Sequence, residues 1–274
     1  MSVVWEGSSP EQRHVLMARA LRARHVSARF VFSHSTAAAL LGLPVPRKSL
    51  GSLATTVSPG PQRSTRYRTN LRQHVATLDD DDVTTVGALP TTGPARTVAD
   101  CLRHLPAIDA VPIADAALHQ GLTTLEEVRT VLRRQAIWPY CGVAGASVRL
   151  VDGRRESPLE SRSAVVMHRH ELPPPEPQVI IYDRAGRFVA KVDFAWLSRG
   201  VVGEADGRGK YADQSDPVLV FEAEKERQAR LEGLGLVVVR WNARLLWGDP
   251  PPLVARLRAA LEAGSGRRFT GRAA

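Results

Sequence analysis

The strongest candidates for chemistry are three carboxylates in the segment KVDFAWLSRGVVGEADGRGKY, residues 191–211. Alternation predicts a strand through FVAKVDFAW that points Asp193 to one face and its apolar neighbours to the other. A second strand, VVGEADG, places Glu204 and Asp206 on a common face. If the two strands pair, the three carboxylates converge on one side of a sheet.

Clustered carboxylates repel one another, which raises their pKa values. A hard divalent cation removes this repulsion, and Mg²⁺ takes oxygen ligands while keeping waters for substrate phosphates. Such an ion activates water and offsets charge at phosphorus during phosphodiester hydrolysis. The spacing therefore predicts that Asp193, Glu204 and Asp206 bind Mg²⁺ or Mn²⁺. The competing interpretation is an acidic strand end that faces solvent.

Two lysines accompany these carboxylates. Lys210 follows Glu204 in the same segment, where it could orient the attacking water or contact a phosphate. Lys191 shares a strand face with Asp193 and is the rival for this role. For either lysine the alternative is an ordinary surface charge.

A predicted helix over 218–233 carries further candidates. Its period places Glu224 and Arg227 on one face, where Arg227 could reach a phosphate. An ion pair between Glu224 and Arg227 within the helix is the favoured interpretation. In the following strand, VVVRW, Trp241 is expected in the core rather than as a platform for stacking bases.

These motifs, in this order of elements, resemble the PD-(D/E)XK nuclease superfamily, in its very-short-patch-repair-endonuclease-like branch. The resemblance covers residues 155–263 and rests on the VDFAW strand followed by an E-x-D-G strand. It implies a restriction-endonuclease-like core, a mixed sheet flanked by helices. It also implies a metal-dependent endonuclease that hydrolyses DNA in defence or repair, with RNA as an alternative substrate.

The resemblance also implies roles for individual residues. Asp193 and Glu204 resemble the metal-binding carboxylates, and Asp206 stands where the wider superfamily has its catalytic lysine. Glu160, in SPLE, resembles the acidic residue of the first core helix. Lys210 stands where many relatives have a histidine. Because Asp206 replaces the lysine, a catalytically inactive regulator that binds nucleic acid is the alternative function.

The elements that must position these residues follow a simple order. A helix is expected from about Ser157, with Pro158 in its first turn, followed by three strands, a helix, a strand and a last helix. The segment 141–158 is Gly-rich with little periodicity and marks the domain boundary. The tail 264–274 is expected to be a disordered basic end.

The first domain, residues 1–145, is expected to be mainly helical with short strands. Its segment SHSTAAALLGLP, followed by ATTVSPG and TTGPARTVADCL, is similar to the abortive-infection type IV antitoxin family. This similarity implies a toxin-like or defence partner. Because SHSTAAALLG begins at Ser33, the domain is expected to lack a complete winged helix.

Polar residues of the first domain offer little by spacing alone. His34 and Ser35 could form a catalytic pair, but no base or acid supports them nearby in sequence, and a helix cap by Ser33 or Ser35 is favoured. No spacing typical of metal ligands relates the histidines at four further positions, which are His104, His119, His168 and His170.

Composition sets the broad class. The 274 residues carry 37 basic and 28 acidic side chains, so the net charge is +9, and four of the basic residues are lysines. Arginine suits phosphate and DNA binding, although a GC-rich genome also explains its abundance. Two cysteines cannot build a disulfide framework, which favours the cytoplasm. With no apolar run near ~20 residues and no secretory signal, we expect a mixed α/β protein without a membrane partner.

Overall fold

A computed structural model describes residues 5–27, 29–60, 66–68, 70–207 and 217–274. It confirms the mixed α/β class and divides the chain into two compact units, residues 1–153 and 154–274. The division falls inside the segment 141–158. Within the described ranges, no helix combines the length and the apolar character needed to cross a membrane.

The first unit is mainly helical and contains a mixed sheet of short strands. Its helices are α1 (Pro10–Arg24), α2 (His34–Leu40), α3 (Pro94–His104), α4 (Ala107–His119), α5 (Leu125–Arg134) and α6 (Cys141–Ser147). Its strands are β1 (Val31–Phe32), β2 (Leu53–Val57), β3 (Arg66–Arg68), β4 (Leu71–Val75), β5 (Val83–Val86) and β6 (Leu89–Thr92). Their order in the sheet is β3-β4-β2-β1-β6-β5.

Local sequence explains several helix ends in this unit. Ser9 caps α1 and Thr124 caps α5, each in a reciprocal capping box with the residue three positions later. Helix α6 forms inside the segment 141–158, whose low periodicity did not indicate a helix. Ala144 and Ser147 of α6 are buried, so tertiary packing outweighs the low helix propensity of its glycines.

A buried histidine, His14, fixes α1 to the rest of this unit. Its Nδ1 lies 2.8 Å from the carbonyl oxygen of Leu50, and its Nε2 lies 3.0 Å from Oγ1 of Thr36. Burial lowers the pKa of His14 below its ordinary value of 6.5, although the hydrogen bond with Leu50 opposes this. The neutral imidazole is therefore the form that belongs to the folded state.

This pKa predicts how the free energy of unfolding depends on pH. Below about pH 6.5 the unfolded chain binds a proton at His14 that the folded chain does not. The stabilisation that buried, neutral His14 gives to the folded state is complete above that pH. It is lost as the pH falls from 6.5 through the lower pKa of the folded state. In urea denaturation between pH 7 and 5, His14→Gln should show a shallower pH slope than the wild type, by up to about 1.4 kcal/mol per pH unit. Parallel slopes would contradict this.

The second unit has the predicted order of elements. They are α7 (Pro158–Arg169), β7 (Glu176–Tyr182), β8 (Phe188–Trp196), β9 (Val201–Ala205), α8 (Pro217–Gly233), β10 (Val237–Trp241) and α9 (Pro252–Gly264). Strands β7, β8 and β9 form an antiparallel meander, and β10 joins β9 in parallel after the crossover through α8. The helix predicted from about Ser157 is present: Ser157 is the N-cap of α7, and its hydroxyl accepts a hydrogen bond from the main-chain N–H of Glu160.

The disordered end expected over 264–274 is wrong. A short strand, β11 (Arg272–Ala273), pairs antiparallel with β7 and completes the sheet order β10-β9-β8-β7-β11. Thr270 N–H donates to the carbonyl of Leu234 at 3.0 Å, which secures the tail before β11 begins. Hydrogen bonding to an available sheet edge therefore orders residues that have no apolar pattern of their own.

Aromatic stacking fills the core of the second unit. Trp241 is buried as predicted, stacks on Phe194 with ring centroids 5.5 Å apart, and donates from Nε1 to Oγ of Ser163 at 2.8 Å. The Trp241 ring lies over Gly203, where an added Cβ would come within 2.7 Å of it. Only glycine fits beneath this ring, and it directly precedes Glu204.

Replacing Gly203 by Ala should therefore destabilise the second unit. The new methyl group would displace the Trp241 ring, and such overpacking costs about 1–3 kcal/mol. The measurement is the free energy of unfolding in urea. Gly266→Ala is the matched control, because its Cβ meets nothing within 4 Å. Equal losses in the two variants would contradict the packing argument.

Candidate functional site

Two of the predicted carboxylates lie on adjacent strands where the pairing of β8 with β9 stops, Asp193 in the interior of β8 and Glu204 one residue before the end of β9. The antiparallel pairing of β8 with β9 ends with Phe194 opposite Gly203, and Asp193 and Glu204 come next on their strands. Oδ2 of Asp193 accepts a hydrogen bond of 2.7 Å from the main-chain N–H of Ala205. The side chain of Asp193 is thereby held against the end of β9.

Glu204 is buried, with 5% of its surface exposed, and two arginines bind its carboxylate. Arg227 of α8 donates from Nη1 and Nη2 to the two oxygens, at 2.6 and 2.7 Å. Arg240 lies opposite Glu204 in the parallel pairing of β10 with β9, and its Nε donates at 2.9 Å. Both arginines also pair with Glu224 of α8. These four residues form a charge network with equal numbers of acids and bases.

Within this network, the charged forms of Glu224 and Arg227 are favoured. Burial opposes the charge of Glu224, but hydrogen bonds and charge from Arg227 and Arg240 outweigh it and lower the pKa of that carboxyl group. Burial likewise acts to lower the pKa of Arg227, but its bonds to Glu224 and Glu204 raise that pKa above its ordinary value. The ion pair predicted between Glu224 and Arg227 is confirmed, and Arg227 bridges it to Glu204.

The other residues predicted for the site lie in different places relative to Asp193 and Glu204. Asp206 follows β9, and its main-chain N–H donates to the carbonyl of Trp241 at 2.7 Å. Lys191 forms an ion pair with Glu156, the residue before the N-cap of α7. Lys210 lies outside the described residues.

Glu160 joins α7 to the sheet. It is 4% exposed, and its carboxylate accepts hydrogen bonds from the main-chain N–H of Glu156 at 3.0 Å and the hydroxyl of Ser157 at 2.6 Å. Nε2 of Gln178, which has a positive φ of 57° in β7, donates to it at 2.7 Å. Glu160 therefore stabilises the start of α7 and holds it against β7.

The donor chemistry of Asp193 and Glu204 fits a hard divalent cation, which prefers carboxylate oxygens. However, both oxygens of Glu204 accept hydrogen bonds from guanidinium groups, so a shared cation requires Arg227 to leave one of them. Within the described ranges, Asp193, Glu204 and Asp206 do not form a group with donor atoms within 4.8 Å of one another. Cation binding here stays a prediction, and it depends on Arg227.

A histidine cluster in the first unit was missed by sequence analysis. One donor nitrogen from each of His34, His74 and His104 lies within 4.8 Å of the other two. The three side chains line a cavity of about 250 Å³ together with Arg72 and Arg103. They come from a helix start, a strand and a helix end, so no local spacing relates them.

The chain is similar to two proteins of Mycobacterium tuberculosis. MT2308 and Rv2248, uncharacterised proteins of two Mycobacterium tuberculosis strains (CDC 1551 / Oshkosh and ATCC 25618 / H37Rv), are each 29% identical to this chain over 171 residues. The match covers 62% of this chain and 61% of each relative, so the chain spans about three fifths of their length. No family model matches the chain. No solved structure matches it.

Proposed function

We propose that this protein is a metal-dependent endonuclease that hydrolyses phosphodiester bonds of DNA where the pairing of strands β8 and β9 stops. The observation that carries the proposal is the position of Asp193 and Glu204 directly beyond the last paired residues of two adjacent antiparallel strands, with Asp193 bonded to the main-chain N–H of Ala205. The order of elements around them supports it, because it is the order of the nuclease core that the sequence resembles. Mg²⁺ or Mn²⁺ held by these carboxylates would activate water and offset charge at phosphorus.

The proposal assigns a role to each side chain at this site. Asp193 and Glu204 would hold the cation, and the N–H of Ala205 fixes Asp193 in position for this. Arg227 would have to give up one oxygen of Glu204 to such a cation, and its guanidinium would then be available to a phosphate. Lys191, which Glu156 orients, adds positive charge on β8 two residues before Asp193.

The charge of the chain supports a nucleic-acid substrate. A net charge of +9, carried mostly by arginine, favours contact with a phosphate backbone. DNA is the proposed substrate and RNA the alternative, and the proposed setting is the cytoplasm. A defence role with a toxin-like partner is the corresponding proposal for the first unit.

A second candidate is a regulator that binds nucleic acid without cutting it. The observation in its favour is the charge network, in which Arg227 and Arg240 occupy both oxygens of Glu204. Asp206 at the position of the superfamily's catalytic lysine points the same way. In this case the network stabilises the fold, and the basic surface alone binds the nucleic acid.

Incubation with nucleic acids separates the two candidates. The purified chain is mixed with supercoiled plasmid, single-stranded DNA or RNA, in Mg²⁺, Mn²⁺ or EDTA. The nuclease proposal expects nicked or linear plasmid with either metal and intact plasmid in EDTA. Intact substrates under all conditions, with binding that weakens as salt rises, would overturn the nuclease proposal in favour of the regulator.

A further inference from the structure

Three histidines from distant parts of the first unit share one small space. His34 is the first residue of α2, His74 lies in β4, and His104 is the last residue of α3. The rings of His34 and His74 stack with centroids 3.8 Å apart. The His104 ring stands edge-on to both, at 4.5 and 5.1 Å. One nitrogen from each ring lies within 4.8 Å of the other two, so small ring rotations bring all three to a common ion.

The Nε2 atom of His34 indicates that this space receives a ligand. His34 is 6% exposed, and its Nε2 is buried without a hydrogen-bond partner. A buried nitrogen left in this state costs free energy. The backbone of His34 also has a positive φ of 53°, a conformation that side chains other than glycine rarely adopt. Both features are explained if the ring must face a ligand.

The opposite edges of two rings are already oriented. Nδ1 of His104 lies 3.1 Å from the carbonyl oxygen of Asp100, which accepts its proton. Nδ1 of His34 lies 2.9 Å from Oγ of Ser33, and that oxygen also accepts from the hydroxyl of Thr56 at 2.8 Å. Metal-binding histidines are typically held in this way, with one ring nitrogen on a protein acceptor and the other on the metal.

The contact with Ser33 also corrects the prediction of a helix cap. Ser33 is the N-cap residue of α2, but its side chain makes no capping hydrogen bond. Its hydroxyl instead contacts the ring of His34. The side chain of Ser33 therefore orients the ring of His34 and does not cap α2.

The three rings are neutral at physiological pH, as metal ligands must be. Burial lowers the pKa of His34 well below its ordinary value. Burial and the nearby His104 lower the pKa of His74 to about 4. Burial and the charge of Arg103 lower the pKa of His104. Imidazole nitrogens suit zinc and its neighbours among the transition metals, and not Mg²⁺.

The cavity leaves room beside the rings. About 250 Å³ is enclosed by the histidines together with Arg72, Arg103 and Tyr140. Arg103 is anchored, since its Nη2 donates to Asp100 at 2.9 Å and its Nη1 donates to the carbonyl of Pro139 at 3.1 Å. Three histidines with an open fourth position are the arrangement of a catalytic zinc site, whereas structural sites are closed by four protein ligands.

We propose that His34, His74 and His104 bind one Zn²⁺ ion through their imidazole nitrogens, with a fourth coordination position open to the cavity. The proposal concerns the first unit alone and does not depend on the nuclease proposal. Water or a small anion completes the coordination, and the positively charged Arg72 lines the same cavity.

The test is zinc binding by the full chain after the purified protein is stripped with a chelator. Equilibrium dialysis against Zn²⁺, followed by elemental analysis, should find one ion per chain. His104→Asn, a change at the end of α3, should weaken the affinity at least about tenfold. His119→Asn is the matched control, because His119 lies at the end of α4, outside the cluster, and should bind zinc as the wild type does.

Two further measurements distinguish a loss of zinc binding from misfolding of a variant. Far-ultraviolet circular dichroism checks that each variant is folded, and Co²⁺ substitution gives an absorption spectrum that should change in His104→Asn but not in His119→Asn. No bound zinc in the folded wild type would overturn the proposal. Equal affinity in His104→Asn and the wild type would also overturn it. If inorganic phosphate raises the melting temperature of a protein that binds no zinc, the cluster is an anion site and the proposal is wrong.

Discussion

Asp193→Asn is expected to lower the rate of metal-dependent DNA cleavage at least about a hundredfold while the fold persists. The amide oxygen can still accept the hydrogen bond from Ala205, so the end of β9 keeps its contact. The negative charge that a divalent cation requires is lost, together with several kcal/mol of transition-state stabilisation. The measurements are the plasmid cleavage rate in Mg²⁺ and Mn²⁺ and the melting temperature.

Glu176→Gln provides the matched control for this change. Glu176 begins β7, is exposed, and lies 3.7 Å from Arg154 in a surface ion pair. Glu176→Gln removes one negative charge from the same sheet as Asp193→Asn does, and the rate of DNA cleavage should be unchanged. If Asp193→Asn cuts DNA at the wild-type rate, Asp193 does not hold the cation and the proposed site is wrong.

Arg227→Met is expected to reduce the free energy of unfolding by about 3–5 kcal/mol. Methionine retains an apolar stem of similar length but leaves the buried carboxylate of Glu204 with Arg240 as its remaining arginine partner. Removing one partner of a buried ion pair costs more than removing both, because the charge that stays behind has lost its solvation. Urea denaturation at pH 7 measures the loss.

Two further variants test whether the loss arises from the network. Arg230→Met changes an exposed arginine on the same helix and should cost far less, since Arg230 makes one hydrogen bond, to the carbonyl of Phe188 at 2.7 Å. The double variant Glu204→Gln with Arg227→Met should recover part of the stability, because no buried charge then lacks its partner. A loss no larger in Arg227→Met than in Arg230→Met would refute the argument.

The order of elements in the second unit could be predicted because residues adjacent in sequence signal where each helix or strand begins. Ser157 and Pro158 mark the start of α7, and alternation identifies β8. The pairing of Glu224 with Arg227 also follows from helical spacing alone. Features that depend only on residues close together in sequence could thus be predicted without the structure.

The environment of Glu204 could not be predicted in the same way. Its contact with Arg240 depends on the register of two parallel strands that a whole helix separates. The carboxylates were expected to repel one another and to need a cation. Instead Arg227 and Arg240 balance the charge of Glu204, which sequence spacing does not reveal.

Features without a local pattern were missed. His34, His74 and His104 meet only because α2, β4 and α3 pack together, and no spacing between them is regular. Helix α6 contains two glycines, and its formation depends on buried contacts made by Ala144 and Ser147. In both cases tertiary packing decides the outcome, and local propensity does not.

The position of β11 protects this protein from self-association along one side of its second sheet. An uncovered edge strand presents a row of main-chain donors and acceptors that can pair with another molecule. Here Ala274 and Ile180 exchange two main-chain hydrogen bonds, of 2.8 and 3.0 Å, and Arg272 pairs with Tyr182. Because these bonds are made within the chain, the edge of β7 from Ile180 to Tyr182 is not available as a template for aggregation.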